Sequence, residues 1–179
     1  GLIFWSINRG VSIDEGYYLL GYLADQPIKY ALTDFHYIVK ALFFFLPEDN
    51  ALYLRWIRLT LTIIALFIFT NSSYKWLVKQ YSAPIKRFTY FSLSYLVGTL
   101  CFAYASPVLY YDNIQMIIYL ISFALIFEVI RGKTKAIALI CSFFLGFLMI
   151  FALTNYFPAG IFLIFSSTLI FLYYLQPAF

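Results

Sequence analysis

Five long apolar segments separated by short polar loops constrain this chain more than any other feature. They cover residues 51–70, 89–106, 113–130, 136–154 and 157–175. At about 1.5 Å per residue, a helix of about 20 residues crosses the roughly 30 Å hydrocarbon core of a bilayer. Lipid offers no hydrogen bonds to the backbone, so each segment is predicted to be helical, and strands of membrane barrels would be shorter and alternating. The sequence therefore predicts an all-α membrane protein that folds as a polytopic helical bundle.

The composition agrees with a single membrane domain. Of the 179 residues, 64% are hydrophobic and only 11% are charged, whereas soluble domains carry about 25% charged residues. Residues 1–8 are apolar and are predicted to be the end of a first transmembrane helix, so that residues 1–179 are expected to be a fragment of a longer membrane protein. The net charge of +4 does not point to nucleic acid, because the basic residues are concentrated in loops.

The basic loops predict the orientation of the bundle. Residues 71–88 and 131–135 together hold seven of the twelve Lys and Arg side chains. Counting spans places both loops on one side of the membrane, and short loops rich in Lys and Arg are cytoplasmic. Residues 9–50 and the turns near residues 106–112 and 155–157 are then predicted to face outward.

Residues 12–48 form the first outward-facing loop and carry a different pattern. Ser12 followed by Glu15 resembles a capping box at a helix start, and apolar side chains recur at helical spacing within residues 33–46. These stretches are too short and too polar to span a bilayer. We expect two amphipathic interfacial helices in this first extracytoplasmic loop.

Acidic side chains at the outward-facing side of the membrane suggest a functional site. Asp14 and Glu15 are adjacent, and Asp112 stands alone at the start of the span 113–130. Charges close to hydrocarbon are costly and are therefore candidates for function. The predicted orientation places Asp14, Glu15, Asp112 and Asn155 on the same side.

Four motifs resemble the GT-C-type membrane glycosyltransferases, in particular the group that contains the protein mannosyltransferases and the aminoarabinose transferases. They are DEGYY at 14–18, LRWIRL at 54–59, SPVLYYDN at 106–113 and ALTNYFPAG at 152–160. Their order and spacing fit the N-terminal part of that family across nearly the whole chain. Two departures are visible: residues 32–36 read LTDFH where the aminoarabinose branch has Lys-Pro-Pro, and Asn155 stands where lysine is common.

The resemblance implies a glycosyltransferase that takes a sugar from a polyprenyl-phosphate-linked donor on the extracytoplasmic face, with inversion. The acceptor would be a glycan, a lipid or a protein. Asp14 would act as the catalytic base or orient the acceptor, with Glu15 beside it, and Asp112 would orient substrate or a divalent metal ion. Arg55 or Arg58 would bind the donor phosphate, which guanidinium groups match well.

Three further side chains are candidates for substrate binding, and two of them also have a structural alternative. The three are Tyr17, His36 and Asn155. His36 suits a surface or packing position on an interfacial helix, and Asn155 suits a helix terminus.

The main candidates have alternatives too. Asp14 and Glu15 would equally stabilise a helix N-terminus, and Asp112 would cap a helix beginning at Asn113. One or both of Arg55 and Arg58 would reach the outer headgroups along the lipid-facing surface.

At the predicted cytoplasmic side, Glu128 and Arg131 are three residues apart and are expected to form a local ion pair.

Two other classes of membrane protein compete with the enzyme. A transporter would use acidic residues at span mouths to bind cations, but transporters usually place such charges near mid-membrane, where these spans have none. A non-catalytic membrane scaffold subunit would use the outer loop for docking. The abundance of Ile, Lys, Phe and Tyr favours an AT-rich genome and hence a prokaryotic plasma membrane.

Overall fold

A computed structural model of the protein describes residues 51–81, 86–104, 111–132, 134–155 and 157–175. These residues form helices α1 (Ala51–Tyr81), α2 (Arg87–Tyr104), α3 (Tyr111–Arg131), α4 (Lys135–Asn155) and α5 (Phe157–Leu175), with no strand in the described part. By length and hydropathy, α1, α3 and α4 are able to cross a membrane, and α5 contains the shorter apolar stretch Gly160–Leu172. The predicted all-helical membrane class is confirmed. The two predicted amphipathic helices, and residues 1–8, lie outside the described residues.

The surface of the bundle is apolar and much of its interior is polar, as expected for a protein surrounded by lipid. On α4, Leu139, Phe143, Phe147 and Ile150 follow one stripe of the helix, and each is more than 60% exposed. The buried side chains include many polar ones: Arg55, Arg58, Thr62, Thr70, Ser72, Ser73, Asn113, Gln115, Ser122, Arg131 and Ser167. Large exposed apolar surfaces mark contact with a membrane or a partner. This distribution and the three long helices identify an integral membrane protein.

Helix α1 is longer than the predicted span 51–70. Its 31 residues correspond to about 46 Å, well beyond the roughly 30 Å hydrocarbon core. The polar residues that follow position 70 continue the helix because they find partners along it: the Ser73 hydroxyl donates to the Phe69 carbonyl at 2.7 Å and receives a hydrogen bond from Tyr90 of α2 at 3.0 Å. Lys75 and Lys79, which the sequence placed in a loop, therefore lie on the last turns of α1.

The helices alternate in direction, and α3 lies at the centre of the bundle, packed against α1, α4 and α5. Helices α1 and α3 run parallel, because Ser72 near the end of α1 hydrogen-bonds Glu128 near the end of α3 at 3.1 Å. Helix α2 returns alongside α1 and makes its main contacts there. We call the end of the bundle where α1 and α3 begin the outer end, following the predicted orientation, and the opposite end the inner end.

The inner end is held by a small network of charged and polar groups. Arg131 and Glu128 form an ion pair at 2.6 Å, which confirms the predicted local pair. The Lys79 ammonium donates to the Arg131 carbonyl at 2.6 Å, so a cation lies at the carboxyl end of α3, where the helix dipole favours it. Gly132 follows with φ of 60°, a conformation that favours glycine after a helix end. Thr134 then caps α4 by accepting a hydrogen bond from the Ile137 amide at 3.2 Å.

Aromatic rings add to the packing of the same end. The Trp76 ring stacks on Phe127 with centroids 4.9 Å apart and meets Tyr174 of α5 edge-on at 6.5 Å. These contacts join α1, α3 and α5 close to their carboxyl ends. Trp76 is therefore packed between helices, whereas Trp56 near the outer end is about half exposed.

Helices α4 and α5 form a close antiparallel hairpin at the outer end. Gly160 of α5 lies against the backbone of Leu153 in α4, so closely that an added Cβ would come within 2.6 Å of the Leu153 Cα and N atoms. Glycine is required at this contact because any side chain would have to displace a backbone. Small residues at helix contacts in membranes permit such close approach.

Candidate functional site

Two buried arginines occupy the first turns of α1. Arg55 is 5% exposed and Arg58 is fully buried, and their spacing of three residues places them on the same face of the helix. Neither is isolated, since each interacts with its surroundings. The alternative in which one of them extends along the lipid-facing surface is wrong, because both side chains lie inside the protein. Cations buried within a membrane protein are costly and mark candidate functional sites.

Helix α3 contributes two buried amide side chains at the same depth. The hydrogen bond between Ser72 and Glu128 sets the register of the parallel helices α1 and α3. Counted back along both helices, the same register places Arg58 level with Ile114. Asn113 and Gln115, which flank Ile114, are buried to within a few per cent. The outer end of the bundle thus holds two buried arginines and two buried amides beside an apolar cluster that contains Ile114.

The same end of the bundle holds the backbone positions of two other predicted residues. Helix α3 begins at Tyr111, so Asp112 lies in its first turn and does not precede a helix beginning at Asn113. Asn155 is the last residue of α4, as its helix-terminus alternative expected. Ile114 near the start of α3 and Ala152 near the end of α4 belong to the same buried apolar cluster. The side chains of Asp112 and Asn155 are outside the described part of the structure.

The remaining predicted site residues lie outside the described residues altogether. They are Asp14, Glu15, Tyr17 and His36. Their roles therefore stay predictions. Glu128 is the one carboxylate among the described side chains, and it lies at the inner end. A carboxylate base at the outer end would therefore have to come from outside the described side chains.

An apolar groove lies below the arginines, between α1, α2 and α3. Its volume is about 400 Å³, and it is partly open at the side of the bundle. It is lined by Thr62, Leu66, Phe69, Leu93, Ser94, Val97, Gly98, Met116 and Leu120. The sequence analysis did not predict this groove, because a groove between apolar helices depends on how they pack. Gly98 and the Leu66 side chain lie against each other in its lining.

The buried arginines and amides at the outer end are hydrogen-bond donors of the kind that bind anions. Within the described ranges, no group of three His, Cys, Asp or Glu side chains is placed to hold a metal ion. Guanidinium groups present a planar fork of donors that matches phosphate or carboxylate oxygens, and amide side chains supply further donors. The outer end of the α1–α3 contact therefore has the chemistry to bind an anionic headgroup out of contact with lipid.

Comparisons of the chain with models of protein families, with curated proteins and with solved structures find no match.

Proposed function

We propose that the protein is an integral membrane glycosyltransferase that uses a polyprenyl-phosphate-linked sugar. The observation that carries the proposal is the buried pair Arg55 and Arg58 at the outer end of α1. These arginines belong to one of the four motifs that resemble the GT-C-type enzymes. Their burial in a lipid-embedded bundle fits a site that neutralises a phosphate.

The proposed reaction is a displacement at the anomeric carbon of the donor sugar. An acceptor hydroxyl oxygen forms the new bond to that carbon, and its proton passes to the Asp14 carboxylate. The bond between the anomeric carbon and the phosphate oxygen breaks, and its electron pair stays on the oxygen of the departing polyprenyl phosphate. A carboxylate partly removed from water has its pKa raised towards the range useful for a base.

The arginines act on the leaving group in this scheme. Negative charge grows on the phosphate oxygen as the bond to the sugar breaks, and fixed cations aimed at that oxygen stabilise the transition state. Asn113 and Gln115 would hold the phosphate in place through their amide groups. The proposed site faces the extracytoplasmic side of a prokaryotic plasma membrane, and its acceptor is a glycan, a lipid or a protein.

The test is sugar transfer by membranes that contain the full-length protein, with Arg58→Lys compared with Arg131→Lys. Both arginines are buried, but they lie at opposite ends of the bundle, so the control carries a similar risk of misfolding. Lysine keeps the charge and loses the planar fork. We expect Arg58→Lys to lower kcat/KM for the donor by about 10- to 100-fold, which corresponds to about 1.4–2.8 kcal/mol of transition-state stabilisation.

Arg131→Lys should leave that kcat/KM within about twofold, since a change remote from the site shifts transition-state stabilisation by only a few tenths of a kcal/mol. Equal effects of the two variants at equal protein levels would show that Arg58 serves folding alone. The assignment of the phosphate site would then be rejected.

A further inference from the structure

The apolar groove between α1, α2 and α3 begins one helical turn beyond Arg58. On α1, Arg58 is followed by Thr62 after one turn and by Leu66 after two, so the three share a face. Thr62 and Leu66 line the groove, and Arg58 is buried outside its lining. The arginine and the groove wall therefore lie on one face of α1, one turn apart.

Helix α3 shows the same change from polar to apolar on its matching face. Asn113, Met116 and Leu120 follow one another at helical spacing, and the last two line the groove. Asn113 lies at the level of Arg58 in the parallel register. Both helices thus carry hydrogen-bond donors at the outer end and apolar side chains one to two turns closer to the inner end.

We propose that this groove binds the chain of a polyprenyl phosphate next to its phosphate group, and that it admits one chain only. The proposal rests on the proposed function, since it takes the donor lipid as the occupant. The charge of the arginines complements a phosphate, and the groove begins where the chain of that lipid would begin.

The dimensions of the groove fit one chain. Its volume of about 400 Å³ lies near the lower end of the roughly 300–1,000 Å³ typical of ligand sites. From Thr62 to Phe69 the helix rises about 10 Å, which is long enough for the first isoprene units but not for a whole polyprenyl chain. The remainder of the chain would leave through the open side, where Leu93 and Val97 are more than half exposed.

Thr62 marks the junction between headgroup and chain. Its side chain is 4% exposed, and within the described part of the structure its buried hydroxyl has no hydrogen-bond partner. A buried hydroxyl without a partner costs stability. The hydroxyl is closed to the groove in this structure, so it would donate to the ester oxygen that links phosphate to chain after a rotation about the Thr62 Cα–Cβ bond.

Helix α2 closes the groove and determines its width. Ser94 and Gly98 are one turn apart on the face of α2 that lines it. A larger side chain at Ser94 would take up space that the chain needs. Ser92, two residues earlier, is exposed and does not line the groove, so it provides a control of identical chemistry on the same helix.

The test measures binding of undecaprenyl phosphate to the full-length protein in phosphatidylcholine nanodiscs. The variants are Ser94→Phe, its control Ser92→Phe, and Thr62→Val, which keeps the shape of the side chain and removes its hydroxyl. We expect Ser94→Phe to weaken binding about tenfold or more and Thr62→Val to weaken it about threefold to tenfold, while Ser92→Phe binds as the wild type does. Phosphatidic acid, which has the same phosphate but two chains, should compete poorly.

A photoreactive group on the first isoprene unit supplies a second readout that does not depend on variants. It should label peptides from α1, α2 and α3 around the groove. Labelling elsewhere would overturn the proposal, as would equal binding by the two phenylalanine variants, equally strong competition by phosphatidic acid, or no binding by the wild type.

The experiments distinguish an error in the proposed chain site from an error in the proposed function. If Ser94→Phe loses lipid binding but the wild type transfers no sugar from any donor, the groove stands and the glycosyltransferase does not. If the wild type transfers sugar and Ser94→Phe transfers it equally well, the enzyme stands and the groove is not its chain site.

Discussion

Three glycines in membrane helices should respond very differently to the same change, glycine to alanine. At Gly160 the new Cβ would lie 2.6 Å from the backbone of Leu153, so α4 and α5 must move apart. Overpacking of this kind costs about 1–3 kcal/mol, whereas alanine gains at most about 1 kcal/mol over glycine in a helix. We therefore expect Gly160→Ala to lower stability by about 1–2 kcal/mol.

Gly146 and Gly98 provide the comparison. No atom lies within 4 Å of a Cβ built at Gly146, so Gly146→Ala should gain about 0.5–1 kcal/mol from helix propensity. At Gly98 the obstacle is the end of the flexible Leu66 side chain, so Gly98→Ala should lie between the other two.

Thermal unfolding of the purified protein in detergent measures this order. One kcal/mol corresponds to roughly 2–4 °C in Tm for a chain of this size, so Gly160→Ala should unfold several degrees below the wild type and Gly146→Ala slightly above it. A Gly160→Ala protein at least as stable as Gly146→Ala would refute the close packing of α4 against α5.

Two further predictions concern the inner end and the orientation. Glu128→Gln removes the charge partner of a buried arginine and should cost about 1–3 kcal/mol of stability, because the carboxylate is partly exposed. Ser72→Ala removes one hydrogen bond and should cost about 1 kcal/mol. If a double-mutant cycle in the same unfolding assay shows that the two costs simply add, the network is contradicted. In a background without native cysteines, Lys135→Cys should react with a membrane-impermeant thiol reagent only after the membrane is opened, whereas Phe157→Cys should react from outside, and the reverse result would overturn the predicted orientation.

The positions of the helices could be read from the sequence because the bilayer fixes the length of a span and requires helical backbone. The predicted spans 113–130, 136–154 and 157–175 fall within a residue or two of α3, α4 and α5. The main difference is the end of α1. Polar residues after position 70 looked like a loop, but their hydrogen bonds to α2 and α3 extend the helix to Tyr81.

The site was predictable only in part. Arg55 and Arg58 were candidates because the motif at residues 54–59 resembles one in the GT-C-type enzymes. Their burial could not be predicted, because two arginines on one face of a helix do not show which other helix packs against that face. Asn113, Gln115 and Thr62 are ordinary polar residues at span ends or within spans, and their burial depends on how α1 and α3 pack.

The groove could not have been found from the sequence at all. Its walls come from three helices, and its apolar lining has the same composition as the lipid-facing surface. Only the packing of α2 against α1 distinguishes a lining residue such as Ser94 from an exposed one such as Ser92.

The most direct test of the glycosyltransferase is sugar transfer from a radiolabelled polyprenyl-phosphate sugar pool by membranes that hold the full-length protein, wild type beside Asp14→Asn. The account predicts transfer by the wild type and a loss of about 100-fold or more in the variant at equal protein level, as the removal of a general base should cause. Full activity in Asp14→Asn would indicate that Asp14 only caps a helix, and Asp112 would become the candidate base. No transfer by the wild type from any carrier would contradict the account and favour a transporter or a scaffold.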